Sequence, residues 1–432
     1  MKLTRRAPRL LAFVFLWAVI AAGPSFARSK ALVIEVKGTI DPATRNYVAR
    51  SIQRAENGDF ECLVILLDTP GGLMDSMKEM ATAMLNTSVP VVVYVYPSGS
   101  TATSAGFFLL MASDFAAMSP NTSTGSAHPV AMQGKMDKTM KEKVTNYAVA
   151  YMESLTKRRN RNVEWAKKAV TRSVSITEDE ALKKKVIEII ADSDRDLLNQ
   201  LDGRKFVKKK RRVTLHTKNA EIVYAYMTSR ERFLHVIAHP NIAYILFIVG
   251  VYGIIFEVTH PGAIAPGVIG AIALILAFTA FQVLPINLAG LLFLIGAFIM
   301  FILEVKIVSH GLLTLGGTVL MVLGSLMLID STDPAFRISI EVVITVALMT
   351  AFLFGVALTA VVKTHRRRVT TGAQGMIGKA GKVAATLNPE GKVRVFGEFW
   401  HARSEDGSAI EKGSKVIVTG MEGMELTVRK KE

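Results

Sequence analysis

One cysteine stands among 432 residues, so no disulfide can close within the chain. That residue, Cys62, lies in the apolar run Glu61-Cys-Leu-Val-Ile-Leu-Leu67, which reads as a buried strand. Its thiol is expected to pack as a small hydrophobe and not to act as a nucleophile. Metal-ligand spacing is missing as well. The eight histidines are scattered with no His-x-x-x-His pair, so neither a metal nor a cofactor is expected. Gly71-Gly72 is not followed by Lys and Ser or Thr, which excludes a phosphate loop. No internal repeat is visible. Charge is nearly missing from the apolar stretches of 241–362, where Glu257, Glu304 and Glu341 fall at the ends. An ion or proton pathway needs ionisable groups inside the bilayer, so a transporter is a poor reading.

Acids are missing from the first 27 residues, which carry Lys2, Arg5, Arg6 and Arg9 before an apolar run over 10–22. Ser25 and Ala27 supply small residues at the positions a signal peptidase reads, so 1–27 is expected to be a signal peptide. The rest divides into four parts. Residues 28–200 alternate strand and helix patterns; 201–240 form a basic linker; 241–362 form a membrane domain; 370–432 form a small β domain. The membrane part holds five apolar stretches, near 242–258, 263–284, 288–304, 311–329 and 340–362. Gly250, Gly253, Gly267 and Gly270 suggest close helix packing. With the first domain exported, Lys306 and the run from Lys363 to Arg368 fall inside, matching the positive-inside tendency. The expected location is the cytoplasmic (inner) membrane, with the first domain outside and the last inside. The basic run from Lys205 to Arg212 reads as a solvated hairpin arm, with contact to lipid headgroups as the alternative.

In the first domain, strands are expected at 31–37, 62–67, 91–96, 115–118, 122–125 and 186–191. Asp41 caps a helix that has Pro42 at its first position. A helix covers about 138–158, and Thr177-Glu-Asp-Glu180 reads as a capping box. The class is α/β with parallel crossovers. Two motifs carry chemistry. Residues 92–106 read VVYVYPSGSTATSAG, which puts Ser104 where a strand gives way to a helix. Such a junction exposes the hydroxyl and aims the following N–H groups at whatever it attacks. The second motif, Asp68-Thr-Pro-Gly-Gly72, lets backbone amides approach a ligand closely. The Ala105 amide with that of Gly71 or Gly72 would form an oxyanion hole. Ser98, Ser100, Thr101 and Thr103 precede the turn and read as loop hydroxyls; Asp68 reads as turn chemistry.

Four segments occur in order: Asp-Thr-Pro-Gly-Gly72, Thr-Ala-Thr-Ser-Ala-Gly106, Ser-Pro-Asn-Thr-Ser-Thr-Gly125 and Lys143-Val-Thr-Asn-Tyr147. Together they resemble the NfeD family of membrane-bound serine proteases, relatives of the ClpP/crotonase fold. The C-terminal Gly397-Glu-Phe-Trp400 is similar to that family's small OB-like β-barrel. The resemblance implies a Ser–Lys dyad with Ser104 as nucleophile and Lys143 as base. It also implies a stomatin-like membrane protein as partner and apolar segments of membrane-associated proteins as substrates. A homo-oligomer in the lipid bilayer is the expected state. A lysine serves as base only where burial or a helix N-terminus depresses its pKa. The rival base is His128, placed like the histidine of soluble ClpP-type Ser–His–Asp proteases. The run Glu180-Ala-Leu-Lys-Lys-Lys185 departs from the family, which often carries glycine after that helix. Only Phe396, Phe399 and Trp400 are available as stacking aromatics on the barrel, so protein interaction is preferred there to nucleic acid. The competing class is a non-enzymatic membrane scaffold organising stomatin-like assemblies.

Overall fold

The computed structural model describes residues 29–130, 137–208, 211–260, 262–307, 309–329, 331, 336–365 and 373–431. The expected signal peptide therefore lies outside the described residues, as do most of the loop at 330–334 and residues 366–368 of the basic run. The chain divides into two compact units, one of residues 1–297 with 319–347, the other of 298–318 with 348–432.

The first unit opens with β1 (Lys30–Lys37), α1 (Pro42–Asn57), β2 (Phe60–Asp68), α2 (Met74–Asn86) and β3 (Val91–Val95). Then come β4 (Thr101–Thr103), α3 (Ala105–Ala112), β5 (Phe115–Met118) and β6 (Ser123–Gly125). Next are α4 (Lys138–Arg158), α5 (Val163–Arg172), β7 (Ser175–Thr177), α6 (Glu178–Lys183), β8 (Ile189–Ile190) and α7 (Asp194–Leu201). They are followed by β9 (Lys205–Lys208), β10 (Arg211–Thr214), β11 (Glu221–Ala225) and α8 (Ser229–Ile237). Asp41 caps α1 with a full capping box, its carboxylate accepting from Thr44 N while the Thr44 hydroxyl accepts from Asp41 N. Thr177 opens α6 as expected but makes no side-chain cap bond, so the anticipated capping box is absent there. Lys185 holds φ +57 where a glycine is the easier choice.

The main sheet runs β11-β1-β2-β3-β5-β8 and every pairing in it is parallel. This is the α/β layout with parallel crossovers expected of the first domain. Its central strands β2, β3 and β5 are buried on both faces, and Cys62 is fully buried, its thiol pushed up to about 12 by desolvation. A smaller sheet, β4-β6-β7, stands beside it.

The segment expected to be a basic linker, 201–240, does not behave as one. β11 adds an edge strand to the main sheet against β1, and the Tyr47 hydroxyl of α1 donates to the Ala225 carbonyl. The hairpin β9–β10 is also docked. Lys208 is buried, and its ammonium donates to the Asp114 carboxylate and to the Val89 carbonyl at 2.6 Å. Asp114 also takes the Arg159 guanidinium and the Val91 N–H. A charge taken out of water needs such partners, and one member of the basic run therefore serves the interior.

Five apolar helices follow: α9 (Pro240–Thr259), α10 (Ile264–Phe281), α11 (Leu288–Lys306), α12 (Leu312–Leu328) and α13 (Ile340–His365). By length and composition α9 and α10 can cross a bilayer, and the apolar parts of the other three are shorter. The α9–α10 contact is as close as the glycines suggest: a Cβ on Gly253 would lie 2.5 Å from the Pro266 carbonyl oxygen. Glu304 is buried but occupied, its carboxylate accepting from Ser309 Oγ, Gly311 N and Thr314 N to cap α12. After the short α14 (Ala373–Met376) come β12 (Ala380–Ala385), β13 (Glu390–Val395), β14 (Glu398–Ser404), β15 (Lys415–Glu422) and β16 (Glu425–Lys430). They close a barrel in the order β12-β13-β14-β16-β15 around Val393, Val416 and Leu426. Trp400 packs against that core, while Phe396 and Phe399 are exposed.

Replacing Lys208 with Met removes one of the two cations from the buried Asp114 carboxylate and leaves it Arg159 and the Val91 N–H. The expected loss is about 3–5 kcal/mol, the range for breaking a buried pair, read by thermal or denaturant unfolding. A change below about 1 kcal/mol would place the ammonium in water.

Candidate active site

The Ser104 turn is built by hydrogen bonds from two neighbouring segments. β4 lies parallel to β6, and Ser104 N donates to the Gly125 carbonyl at 3.0 Å. On the other side, Thr69 N donates to the Thr101 carbonyl at 2.7 Å and Thr103 N to the Thr69 carbonyl at 3.2 Å. The Thr103 hydroxyl donates to the Pro70 carbonyl, and the Asp68 carboxylate accepts from Thr101 N. The two motifs singled out in the sequence are thus adjacent strands of one small ladder. Asp68 and Thr103 serve that ladder, as turn chemistry and loop hydroxyl respectively.

Ser104 itself has φ +52 and ψ −118, a region that side chains avoid at roughly 1–3 kcal/mol. It is half-buried and immediately precedes α3, whose eight residues are all buried. The N–H groups of Ala105 and Gly106 have no carbonyl partner inside the helix, as at any helix start. They face the N-terminal end of α3, where an anion is favoured.

Glycine is required at two places. A Cβ on Gly106 would sit 2.5 Å from Thr69 Cγ2, so the elbow and the Gly-Gly loop could not approach as they do. A Cβ on Gly72 would sit 2.3 Å from the Ile40 carbonyl oxygen. Ile40 N donates to the Gly71 carbonyl and Leu73 N to the Ile40 carbonyl, both at 2.8 Å. In this parallel bridge the N–H of Gly72 turns away from Ile40. Gly71, at φ +141, has its N–H committed to the Thr69 hydroxyl at 3.1 Å. Of the three expected oxyanion amides, those of Ala105 and Gly72 remain open among the described residues.

The two candidate bases are placed differently. Lys143 lies in the second turn of α4 and is exposed, with no hydrogen bond or ion pair among the described residues. Only the later part of α4 is buried, through Ala148, Met152 and Leu155, with Tyr151 stacked on Phe108 at 6.0 Å. His128 is half-buried, and its Nδ1 lies 2.9 Å from the Val170 carbonyl. A carbonyl can only accept, so Nδ1–H is the donor and Nε2 is left without a partner among the described residues. No hydrogen bond joins Ser104 to either base among the described residues. No group of three metal-ligating side chains occurs among them either.

Sequence reasoning missed how the site is tied to α8. His235 Nδ1 lies 2.6 Å from Asp41 Oδ2, the carboxylate that also caps α1. Its ring passes 3.6 Å from where a Cβ on Gly38 would lie. The segment 38–41 in turn bonds the Gly-Gly loop, through Gly38 N to the Asp68 carbonyl and Ile40 N to the Gly71 carbonyl. Asp41 was legible as a cap, but nothing local in the sequence pairs it with a histidine so far along the chain.

Sheet, elbow and apolar helices together define an α/β domain with a serine at a strand-to-helix elbow, followed by helices of membrane-like length and composition. Three family models match the chain in succession: the NfeD1b N-terminal domain over 30–222, the NfeD integral membrane domain over 241–360 and the NfeD-like C-terminal, partner-binding domain over 373–430. The chain is 35% identical over 421 residues to membrane-bound protease PH1510 of Pyrococcus horikoshii, covering 95% of each. It is 27% identical over 419 residues to membrane protein NfeD1b of Bacillus subtilis, covering 92% of each. A solved structure of the 1510-N membrane-bound stomatin-specific protease, a lysine-to-alanine mutant with a substrate peptide, shares 33% identity. It covers 49% of this chain and 99% of that one with a TM-score of 0.46. The chain belongs to the NfeD family.

Two outcomes follow from the geometry. Gly72→Ala should force the loop off Ile40 and lower stability by about 1–3 kcal/mol, as overpacking does, with the thermal midpoint as readout. An unchanged midpoint would mean the loop is not held against Ile40. The second concerns His235, whose pKa is raised from 6.5, chiefly by the Asp41 hydrogen bond, against desolvation and with His239 close by. A raised histidine contributes fully below its unfolded value and loses that contribution as pH rises through the folded value. His235→Gln should therefore lower the midpoint at pH 5.5 and converge with the parent at pH 9. An equal gap at both pH values would show a neutral imidazole.

Proposed function

We propose that this chain is a membrane-anchored serine endopeptidase with Ser104 as nucleophile, cleaving apolar segments of membrane-associated proteins, stomatin-like ones among them. The observation that carries the reading is the elbow. A serine is held at a strained backbone angle, at the start of a buried helix, beside a glycine loop with an open amide. The 35% identity with a membrane-bound protease over nearly the whole chain supports it.

In this reading Lys143 takes the proton from Ser104 Oγ as that oxygen attacks the scissile carbonyl. The amides of Ala105 and Gly72 stabilise the oxyanion. Collapse expels the amine, which takes that proton from Lys143; Lys143 then takes a proton from the water that attacks the acyl-enzyme and returns it to Ser104 Oγ as the acid leaves. A neutral lysine requires loss of water around the ammonium. The front half of α4 is uncovered in the single chain, with Met140 at 47% and Tyr147 at 46% exposure. A homo-oligomer that covers this half would supply the desolvation. His128 is the alternative base, favoured by its half-burial and its Nδ1 bond to Val170. The barrel is assigned to holding a stomatin-like partner, in line with the partner-binding description of its family. The signal peptide at 1–27, the five spans and the extracytoplasmic placement of the Ser104 domain belong to the same proposal.

Labelling with a fluorophosphonate on the full chain in nanodiscs tests it. The parent should label and Ser104→Ala should not. Lys143→Ala should slow labelling by about 10²–10⁴-fold, the usual worth of a general base, with His128→Ala changing it little. Labelling that survives Lys143→Ala but not His128→Ala moves the base to His128. A parent that never labels is a scaffold.

A further inference from the structure

The barrel sets three cations side by side on neighbouring strands. β12 lies between β15 and β13, and Lys382 is directly opposite Lys415 on one side and Arg394 on the other. Across β13, Arg394 is opposite Phe399 of β14. Directly opposed residues of antiparallel strands project to one face, and all four are exposed. Lys392 is exposed on the same face, two residues before Arg394. Lys379, just before β12, lies 5.6 Å over the Phe396 ring, and Arg394 lies 5.8 Å over the Phe399 ring. None of these cations has an ion pair among the described residues; Arg394 Nε donates to the neutral Gly397 carbonyl at 3.2 Å.

Like charges directly opposite one another destabilise a sheet, so stability of the barrel does not explain the row. Its acids lie mostly elsewhere. Glu390 is opposite Arg403, Glu405, Asp406 and Glu411 follow β14, and Glu422 and Glu425 close the β15–β16 hairpin. Glu398, opposite Val395, is the acid nearest in sequence to Phe399. Phe396 and Phe399 at this hairpin are 69% and 68% exposed. Unpaired cations beside exposed rings fit an anionic surface with an apolar layer beneath it. A second copy of the face would be repelled by its own charge. Each ring has one side under a cation, which takes that side from a stacking nucleobase.

The connection to the apolar helices favours lipid over a partner in free solution. Residues 366–372 join α13 to α14 and reach roughly 30 Å at full extension. With α13 in a bilayer, the barrel cannot leave the surface of that bilayer. A tethered surface binds as an intramolecular partner, at a high effective concentration. The basic run from Lys363 to Arg368 belongs to the side where anionic lipid attracts such segments.

We propose that the β15–β12–β13 face docks the barrel onto anionic lipid headgroups of the membrane that holds α13. Lys382, Arg394 and Lys415 meet the headgroup charges, and Phe396 and Phe399 enter the apolar boundary behind them. The assignment rests on the membrane reading above and leaves the other faces of the barrel to a protein partner.

The test uses the full chain in nanodiscs of phosphatidylcholine, with or without phosphatidylserine, each holding a little nitroxide-headgroup lipid. Cys62 is buried, so a dye on His401→Cys, opposite Lys392, reports this face. A dye on Ser408→Cys, beyond the other end of β14, is the control. The nitroxide should quench position 401 more strongly in anionic than in neutral nanodiscs, while position 408 responds alike in both. Salt at about 1 M should abolish the difference, because the screening length is then about 3 Å. Lys382→Gln, Arg394→Gln and Lys415→Gln together should lower the docked-to-free ratio by about 10²-fold, about fivefold for each charge. The triple variant relieves opposed like charges, so its thermal midpoint should not fall. Equal quenching at 401 in both lipids, or an unchanged ratio in the triple variant, overturns the proposal. A response at 401 to a synthetic glutamate- and leucine-rich peptide, with none to phosphatidylserine, also overturns it and assigns the face to an acidic protein segment. Failure of the membrane reading shows separately, as a chain that carbonate strips from its native membrane.

Discussion

The hydrogen bond from the Ser104 amide to the Gly125 carbonyl holds a backbone angle that the residue would not adopt alone. Strain of that kind persists only where neighbours over-determine the conformation. Here they do so from two sides, with β6 on one and Thr69 on the other. Gly125, at φ +130, is itself pressed against Val174, where a Cβ would meet the carbonyl oxygen at 2.3 Å. The elbow is therefore the meeting point of four segments, and each needs a small residue or a backbone bond to come close enough.

From that point two lines of contact lead outward. One passes through Thr69 and the Gly-Gly loop to 38–41, then through Asp41 and His235 to the helix that precedes the apolar region. The other passes through α3 into the apolar core of the α/β domain, where Phe107 meets Trp165 edge-on at 5.4 Å. The first line is polar, the second apolar, and both run through buried residues. A site strung between them keeps its geometry from the core and stays in touch with the membrane side.

Much of this was legible beforehand. The α1 cap, the strand–helix alternation, the elbow and the barrel strands depend on local pattern: Asp before Pro, apolar period, small residues at a turn. The apolar helices were legible for the same reason, since length and hydropathy alone define them. Four features were not. β11 pairs with β1 across most of the domain's length, and Lys208 of a basic run turns inward to Asp114. The Gly71 amide is taken by a threonine hydroxyl, and Lys143 lies in the uncovered half of its helix. Each depends on which distant surface happens to lie opposite.

What the sequence alone determined is what one stretch of chain does by itself: its periodicity, its caps, its turns and its affinity for lipid. Tertiary structure decided which donors meet which acceptors and which charges lose their water. Those outcomes follow from burial, and burial is a property of two surfaces brought together, so neither surface carries it in its own residues.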